Sequence, residues 1–181
     1  MNFKKLVPVF LLALLISAPT FSSNTDPKED KKNDKTIVAV AASNENFTTL
    51  VAAVKAAGLV DVLNSDGPFT VFAPVNDAFN KLPKGTVASL LKPENKKMLT
   101  AILTYHVVAG KFAAKDVLKA IKNNNGKFVI KTVQGGKLTA SLKNGKVILT
   151  DEKGNMSTVV ITDVNASNGI VHAIDSVVMP K

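Results

Sequence analysis

Gly67-Pro68-Phe69-Thr70-Val71-Phe72-Ala73-Pro74-Val75-Asn76-Asp77-Ala78-Phe79 packs a strand, a hard corner and a helix start into thirteen residues. Asp66-Gly67-Pro68 is a turn, and the β-branched and aromatic run Phe69 to Phe72 after it reads as a buried strand. Pro74 ends that strand, because proline has no N–H to give to a ladder. Asn76 falls where an N-cap belongs, so its amide oxygen is expected to accept the open N–H groups of a helix starting at Asp77. The Asp77 carboxylate suits the positive end of that helix. No side chain in the stretch is chemically reactive.

Working outward, helical patterns dominate the first half of the chain. Thr36 to Ala42 reads as a short buried helix. Asn44 can cap the next, whose inward face is Phe47, Leu50, Val51 and Val54, with Gly58 as its left-handed stop. Beyond the central stretch, Thr86 to Leu91 gives a further helical turn or two. Pro93 opens a longer helix with Met98, Leu99, Ile102 and Leu103 inward. Tyr105 to Ala109 reads as strand, and Ala113 to Lys122 as a helix on Val117, Leu118 and Ile121.

The second half changes to a two-residue period. Leu138, Ala140 and Leu142 alternate with polar neighbours, the pattern of a half-exposed strand. Gly135-Gly136, Asn144-Gly145 and Gly154-Asn155 separate four expected strands, Lys127–Val133, Lys137–Lys143, Lys146–Thr150 and Met156–Asp163. The apolar run Ile170 to Met179 is expected to be a central strand. Early helices and late antiparallel strands make the class α+β.

Before all this, Lys4 and Lys5 precede an apolar run from Leu6 to Ile16 and then small residues, the layout of a secretory signal peptide over residues 1–22. That run is short for a membrane span, so cleavage leaves none. Residues 23–35 mix lysines with Asp26, Glu29, Asp30 and Asp34 and offer no apolar surface, as expected of a charged flexible linker. Residues 36–181 form the expected domain.

Composition removes whole classes of chemistry. Without cysteine there is no disulfide, thiol nucleophile or thiolate metal site. All 23 basic residues are lysines, whereas bidentate recognition of phosphate or guanine is mainly the work of arginine. With one tyrosine and no tryptophan, stacking on single-stranded nucleic acid is also unavailable, so no nucleic-acid partner is expected. Seventeen lysines and ten acidic residues follow Thr36. That excess reads either as a solubilising coat or as attraction to an anionic polymer through point charges, with Lys92, Lys96, Lys97, Lys115, Lys119 and Lys122 as candidates.

Three stretches, Gly67 to Phe79, then Tyr105-His106-Val107-Val108, then Asn168 to Asp175 with Val177 to Pro180 behind it, together resemble fasciclin-like domains, and the likeness covers residues 36–181. It implies an α+β wedge, β-sandwich-like, with antiparallel strands and helices packed along one side. It marks Phe72, Pro74, Asn76, Phe79, Tyr105, His106, Asn168, Gly169 and His172 as motif residues. By the same likeness His106 ties neighbouring segments together, and Asn168-Gly169 is a tight turn in which glycine takes positive φ.

Function is where the readings divide. The resemblance implies a non-catalytic adhesion module that binds a cell-surface or matrix protein. The signal peptide makes it secreted, periplasmic or extracellular, the lysine excess adds an anionic polysaccharide as a partner, and a monomer is expected. In animal members an Asp-Ile pair has been linked to integrin binding, and the matching positions here are Asp163-Val164, without the isoleucine. The alternative is a small-ligand binder or enzyme with a cleft near Tyr105, His106 and His172. There a histidine would act as general base, or both would bind a metal with Asp163 or Asp175. No Gly-x-Ser-x-Gly, His-Glu-x-x-His or phosphate-binding glycine loop is present, and no catalytic residue, cofactor or metal is expected.

Overall fold

The computed structural model describes residues 34–181. The expected signal peptide, and the linker up to residue 33, lie outside the described residues. Phe69–Pro74 forms strand β1 and is buried from Thr70 onward. Helix α4, Asn76–Asn80, follows the Pro74 corner. The preceding helices are α1 (Ile37–Ala42), α2 (Thr48–Ala57) and α3 (Val60–Asn64). The third was not expected from the sequence. Thr36 Oγ1 accepts from Ala39 N–H to start α1, and Asn44 caps the 3-10 turn Glu45–Phe47 that leads into α2. Gly58, at φ 73°, ends α2 in the left-handed conformation that glycine adopts without steric cost.

Helix α5 is Thr86–Leu90, and α6 is Lys96–Tyr105 after a 3-10 turn at Pro93–Asn95. Two expectations fail here. Met98 is 58% exposed, because the buried stripe of α6 runs through Leu99, Ile102 and Leu103 and on to His106. Tyr105 closes this helix instead of opening a strand; strand β2 is only Val107–Ala109. Helix α7, Ala114–Asn123, buries Val117 and Ile121 as its spacing requires.

Strands β3 (Lys127–Lys131), β4 (Lys137–Lys143), β5 (Lys146–Thr150), β6 (Met156–Ala166) and β7 (Gly169–Ile174) complete the sheet. Asn144 and Gly145 both take positive φ, 52° and 75°, as the two-residue β4–β5 hairpin demands. The strand order is β2-β1-β7-β6-β5-β4-β3. All neighbours are antiparallel except β1 and β7, which run parallel from Phe69/Gly169 to Pro74/Ile174. The first part of β6 pairs with β5 and the part from Val159 onward with β7, with register shifts on either side of Ile161. Beyond β3, Val133 N–H donates to Val107 O of β2 at 2.8 Å, so the sheet curls nearly back on itself.

Strand β7 ends earlier than the apolar run suggests, and side chains explain it. Past Ile174 the backbone N–H groups go to the Ser157 hydroxyl (from Ser176), His106 Nε2 (from Val178) and the Asp151 carboxylate (from Met179). A ladder is no longer needed to satisfy them.

The buried pair β1/β7 separates two cores. Val71, Ala73, Val171 and Ala173 face Phe47, Leu50, Val54 and Leu103 from the helices. Phe72 and Ile174 face the other way, toward Val117, Ile121, Leu138 and Leu149. Each fully buried aliphatic or Phe side chain contributes roughly 1.5–3 kcal/mol. With no disulfide available, this double packing is what holds the fold.

Candidate functional site

Tyr105 and His106, at the end of α6, stand between the helices and the curled sheet. Tyr105 has no exposed surface. Its hydroxyl donates to Lys137 O at 2.6 Å and accepts from Glu152 N–H at 3.3 Å, tying α6 to β4 and to the β5–β6 turn. Burial pushes its pKa up to about 12. His106 is 2% exposed. Its Nδ1 lies 2.8 Å from Ile102 O, and its Nε2 accepts Val178 N–H at 3.3 Å, which fixes a neutral ring protonated on Nδ1. Burial pushes its pKa down from 6.5 to about 4, against the opposing pull of the Ile102 carbonyl and Asp151.

His172, on β7, is likewise 2% exposed and stacks on Phe72, ring centroids 5.7 Å apart. Nε2–H donates to Phe112 O at 2.8 Å, and Nδ1 accepts Asp163 N–H at 3.2 Å. Burial lowers its pKa, opposed by the Phe112 carbonyl and Asp163. Both imidazoles therefore use both nitrogens inside the protein and leave no lone pair for a base or a metal. The space beside His106 is an apolar cavity of about 30 Å³, lined by Ile37, Leu50, Val54, Leu63 and Leu103 among others. No group of three or more metal-ligating side chains forms among the described residues.

Two of the other motif residues, Asn76 and Asn168, hydrogen-bond to elements far along the chain, and so does Asp163, the candidate interaction residue. Asn76 does not cap its own helix; it lies in the first turn of α4, after Val75. Its Oδ1 accepts Thr49 N–H and the Thr48 hydroxyl, each at 3.1 Å, and its Nδ2 donates to Glu45 O at 2.8 Å. It caps α2, whose own preceding residue, Phe47, has no acceptor side chain. Asn168 does the same for α1: Oδ1 accepts Ile37 N–H at 3.0 Å while Nδ2 donates to Leu63 O and Ser65 O. Asp163 does it for α7, accepting Ala114 N–H at 2.8 Å. Its φ of 57°, tolerable for aspartate, turns the carboxylate that way at the irregular point of β6.

Gly169 is needed for space rather than for positive φ, since a β-carbon there would collide with Phe69 O. Phe79 and Val164 pack partly buried against the helix-side core. Pro74 closes β1 opposite Ile174.

The candidate lysines fall into two groups. Lys92, Lys96 and Lys97 surround the start of α6. Lys92 approaches Glu94 at 3.9 Å, and the Lys96 ammonium lies over Gly58 at the C-terminal end of α2, where positive charge is favoured. Lys115, Lys119 and Lys122 are exposed on α7, with Asp116 on the same helix. A second pattern escaped the reading of the sequence. From Val117 to Thr150 there is no acidic residue and there are seven lysines, which equals the net charge of the whole domain. Counting acids along the chain, and not lysines alone, would have found it.

The sequence model of the fasciclin domain matches residues 45–180. Protein sll1483 of Synechocystis is 55% identical over 145 residues, 80% of this chain and 73% of that one. Immunogenic protein MPB70 of Mycobacterium bovis is 44% identical over 149 residues, 79% of this chain and 68% of that one. Transforming growth factor-beta-induced protein ig-h3 of Sus scrofa is 39% identical over 146 residues, which make up 19% of its length. Among solved structures, a FAS1 domain pair from the insect cell adhesion molecule Fasciclin I superposes with a TM-score of 0.71 at 20% identity, over 80% of this chain and 50% of that one. That likeness shows the fold, and the sequence matches show the descent: the chain belongs to the fasciclin domain family.

Proposed function

We propose that this domain is a secreted, non-catalytic surface-interaction module that holds an anionic partner through lysine point charges. The observation that carries the reading is the saturation of His106 and His172. Each is buried with both ring nitrogens engaged, so the chemistry left to the domain is that of its surface. That surface is basic and lysine-only, and the helical lysines Lys92, Lys96, Lys97, Lys115, Lys119 and Lys122 contribute to its field. A ligand cleft at Tyr105, His106 and His172 has no support in the geometry, because all three are buried. The insect Fasciclin I is a cell adhesion molecule, and membership of the fasciclin domain family supports extending an adhesive role to this chain.

The partner in this reading is an acidic polysaccharide or an acidic cell-surface or matrix protein, and the compartment is periplasmic or extracellular. Among the described residues no helix is long and apolar enough to cross a membrane. The test is retention on an acidic-glycan column against a neutral one. Retention at low salt that collapses as salt rises is expected, since exposed charges are screened over about 8 Å at physiological ionic strength. Equal passage through both columns would refute the reading.

A further inference from the structure

Strands β3, β4 and β5 have one face in the core, through Ile130, Leu138, Ala140, Val147 and Leu149, and α7 packs on that side. The residues that alternate with these point outward. Five of them are lysines, Lys127, Lys131, Lys137, Lys143 and Lys146, all exposed and none with a carboxylate partner among the described residues. Glu152 comes near one end of the sheet, but it accepts the backbone N–H of Lys137 at 3.3 Å.

Register makes the arrangement unusual. Lys131 stands directly opposite Lys137, and Lys143 directly opposite Lys146. Like charges facing each other across a ladder destabilise it, yet this sheet carries two such pairs, one at each end of β4. Between them lie Lys127, opposite Ser141, and the hydroxyls of Thr139, Ser141 and Thr150, which make no hydrogen bond among the described residues. Val129 and Ile148 are interleaved with those hydroxyls, and no aromatic ring is present on the face.

We propose that this outer sheet face is the docking surface for a linear acidic polysaccharide, which lies along β4 and places anionic groups between each lysine pair. The inference rests on the anionic-partner reading above and adds the place, the shape and the ligand class. Repulsion inside each pair is relieved when an anion sits between the two ammonium groups. The pairs are six residues apart on one strand, about 20 Å, so a partner must be extended to engage both. The free hydroxyls suit sugar hydroxyl groups. A membrane is the poorer fit, because the face has no aromatic ring and its Val129 and Ile148 stand opposite Thr139 and Ser141 rather than opposite each other.

The experiment titrates the full chain with polygalacturonate, with digalacturonate, with neutral dextran and with vesicles containing phosphatidylglycerol, at low and high salt. Wild type is expected to bind polygalacturonate at low salt and to ignore dextran and digalacturonate. Changing Lys127, Lys131, Lys137, Lys143 and Lys146 to glutamine should weaken binding at least tenfold, roughly the loss of five weak ion pairs. Changing Lys55, Lys84, Lys111 and Lys181 to glutamine removes four charges elsewhere and should cost less than about threefold. Lys131→Glu with Lys143→Glu converts both repulsive pairs into attractive ones. That variant should lose binding without a lower unfolding midpoint, which excludes misfolding as the cause. If the sheet variant binds as wild type does, or digalacturonate binds as well as the polymer, or vesicles are preferred, the proposed surface is wrong while the anionic reading survives. If wild type binds no polyanion at all, both fall.

Discussion

Mild acid should destabilise this protein through His106. The unfolded histidine takes a proton near pH 6.5, whereas the buried ring does so only near pH 4. Between those values the unfolded chain binds the extra proton, so stability falls as the pH falls, and below about 4 this group adds no further loss. The gap of about 2.5 units, at about 1.4 kcal/mol each, amounts to roughly 3 kcal/mol. His172 is shifted the same way and adds to the slope. Asp175 acts at lower pH. Burial raises its pKa, but Thr158 N–H, Lys81 and Ser176 outweigh that and hold the carboxyl below its ordinary value. Its contribution is present above the unfolded carboxylate value and is lost only as the pH drops through the folded one.

The assay is urea unfolding at steps from pH 8 to pH 4, for wild type and for His106→Gln. At pH 8 the variant should be weaker by about 1–3 kcal/mol, from the lost bonds to Ile102 and Val178. Its further loss between pH 6.5 and 4 should be much smaller than that of wild type, and smaller still with His172→Gln added. An unchanged acid slope in His106→Gln would refute the assignment of a buried, neutral His106.

Further predictions concern positions where one side chain serves a distant element. Asn76→Ala should cost about 1–2 kcal/mol, and hydrogen exchange should show fraying at Thr48 and Thr49 and not at the start of α4. Asp163→Ala should cost about 1 kcal/mol and loosen the first turn of α7, and Asp163→Asn should recover most of it, because asparagine keeps the acceptor and tolerates the backbone; thermal denaturation of both variants decides. Gly136→Ala should cost about 1–3 kcal/mol by the same measurement, since a β-carbon would lie 2.6 Å from the Tyr105 ring, whose hydroxyl is already held by Lys137.

What could be read from the sequence was what neighbouring residues decide. Asn144-Gly145 fixed its hairpin, Gly58 its helix stop, and Pro74 the end of β1, because in each case the required backbone is a property of the residue itself. The misses share the opposite cause. Asn76 reads as a cap for the helix beside it, and nothing local says that its oxygen reaches α2, 27 residues back. Tyr105 looks like strand, but its ring is placed by Lys137 and Glu152 far along the chain. The parallel pairing of β1 with β7 joins segments about 100 residues apart and leaves no periodic trace. The lysine face needed the β3–β4–β5 register before Lys131/Lys137 and Lys143/Lys146 became pairs, although the acid-free run from Val117 to Thr150 was already visible.

The most direct test of the account is to watch where an acidic polymer touches the protein. Backbone amide shifts recorded at low salt, as polygalacturonate is added, should move along the outward residues of β3, β4 and β5, most at the two lysine pairs. They should return as salt is raised, and His106 and His172 should stay still. Shifts centred on the start of α6 would contradict the sheet surface, and shifts around the histidines, or no shifts at all, would contradict the whole account.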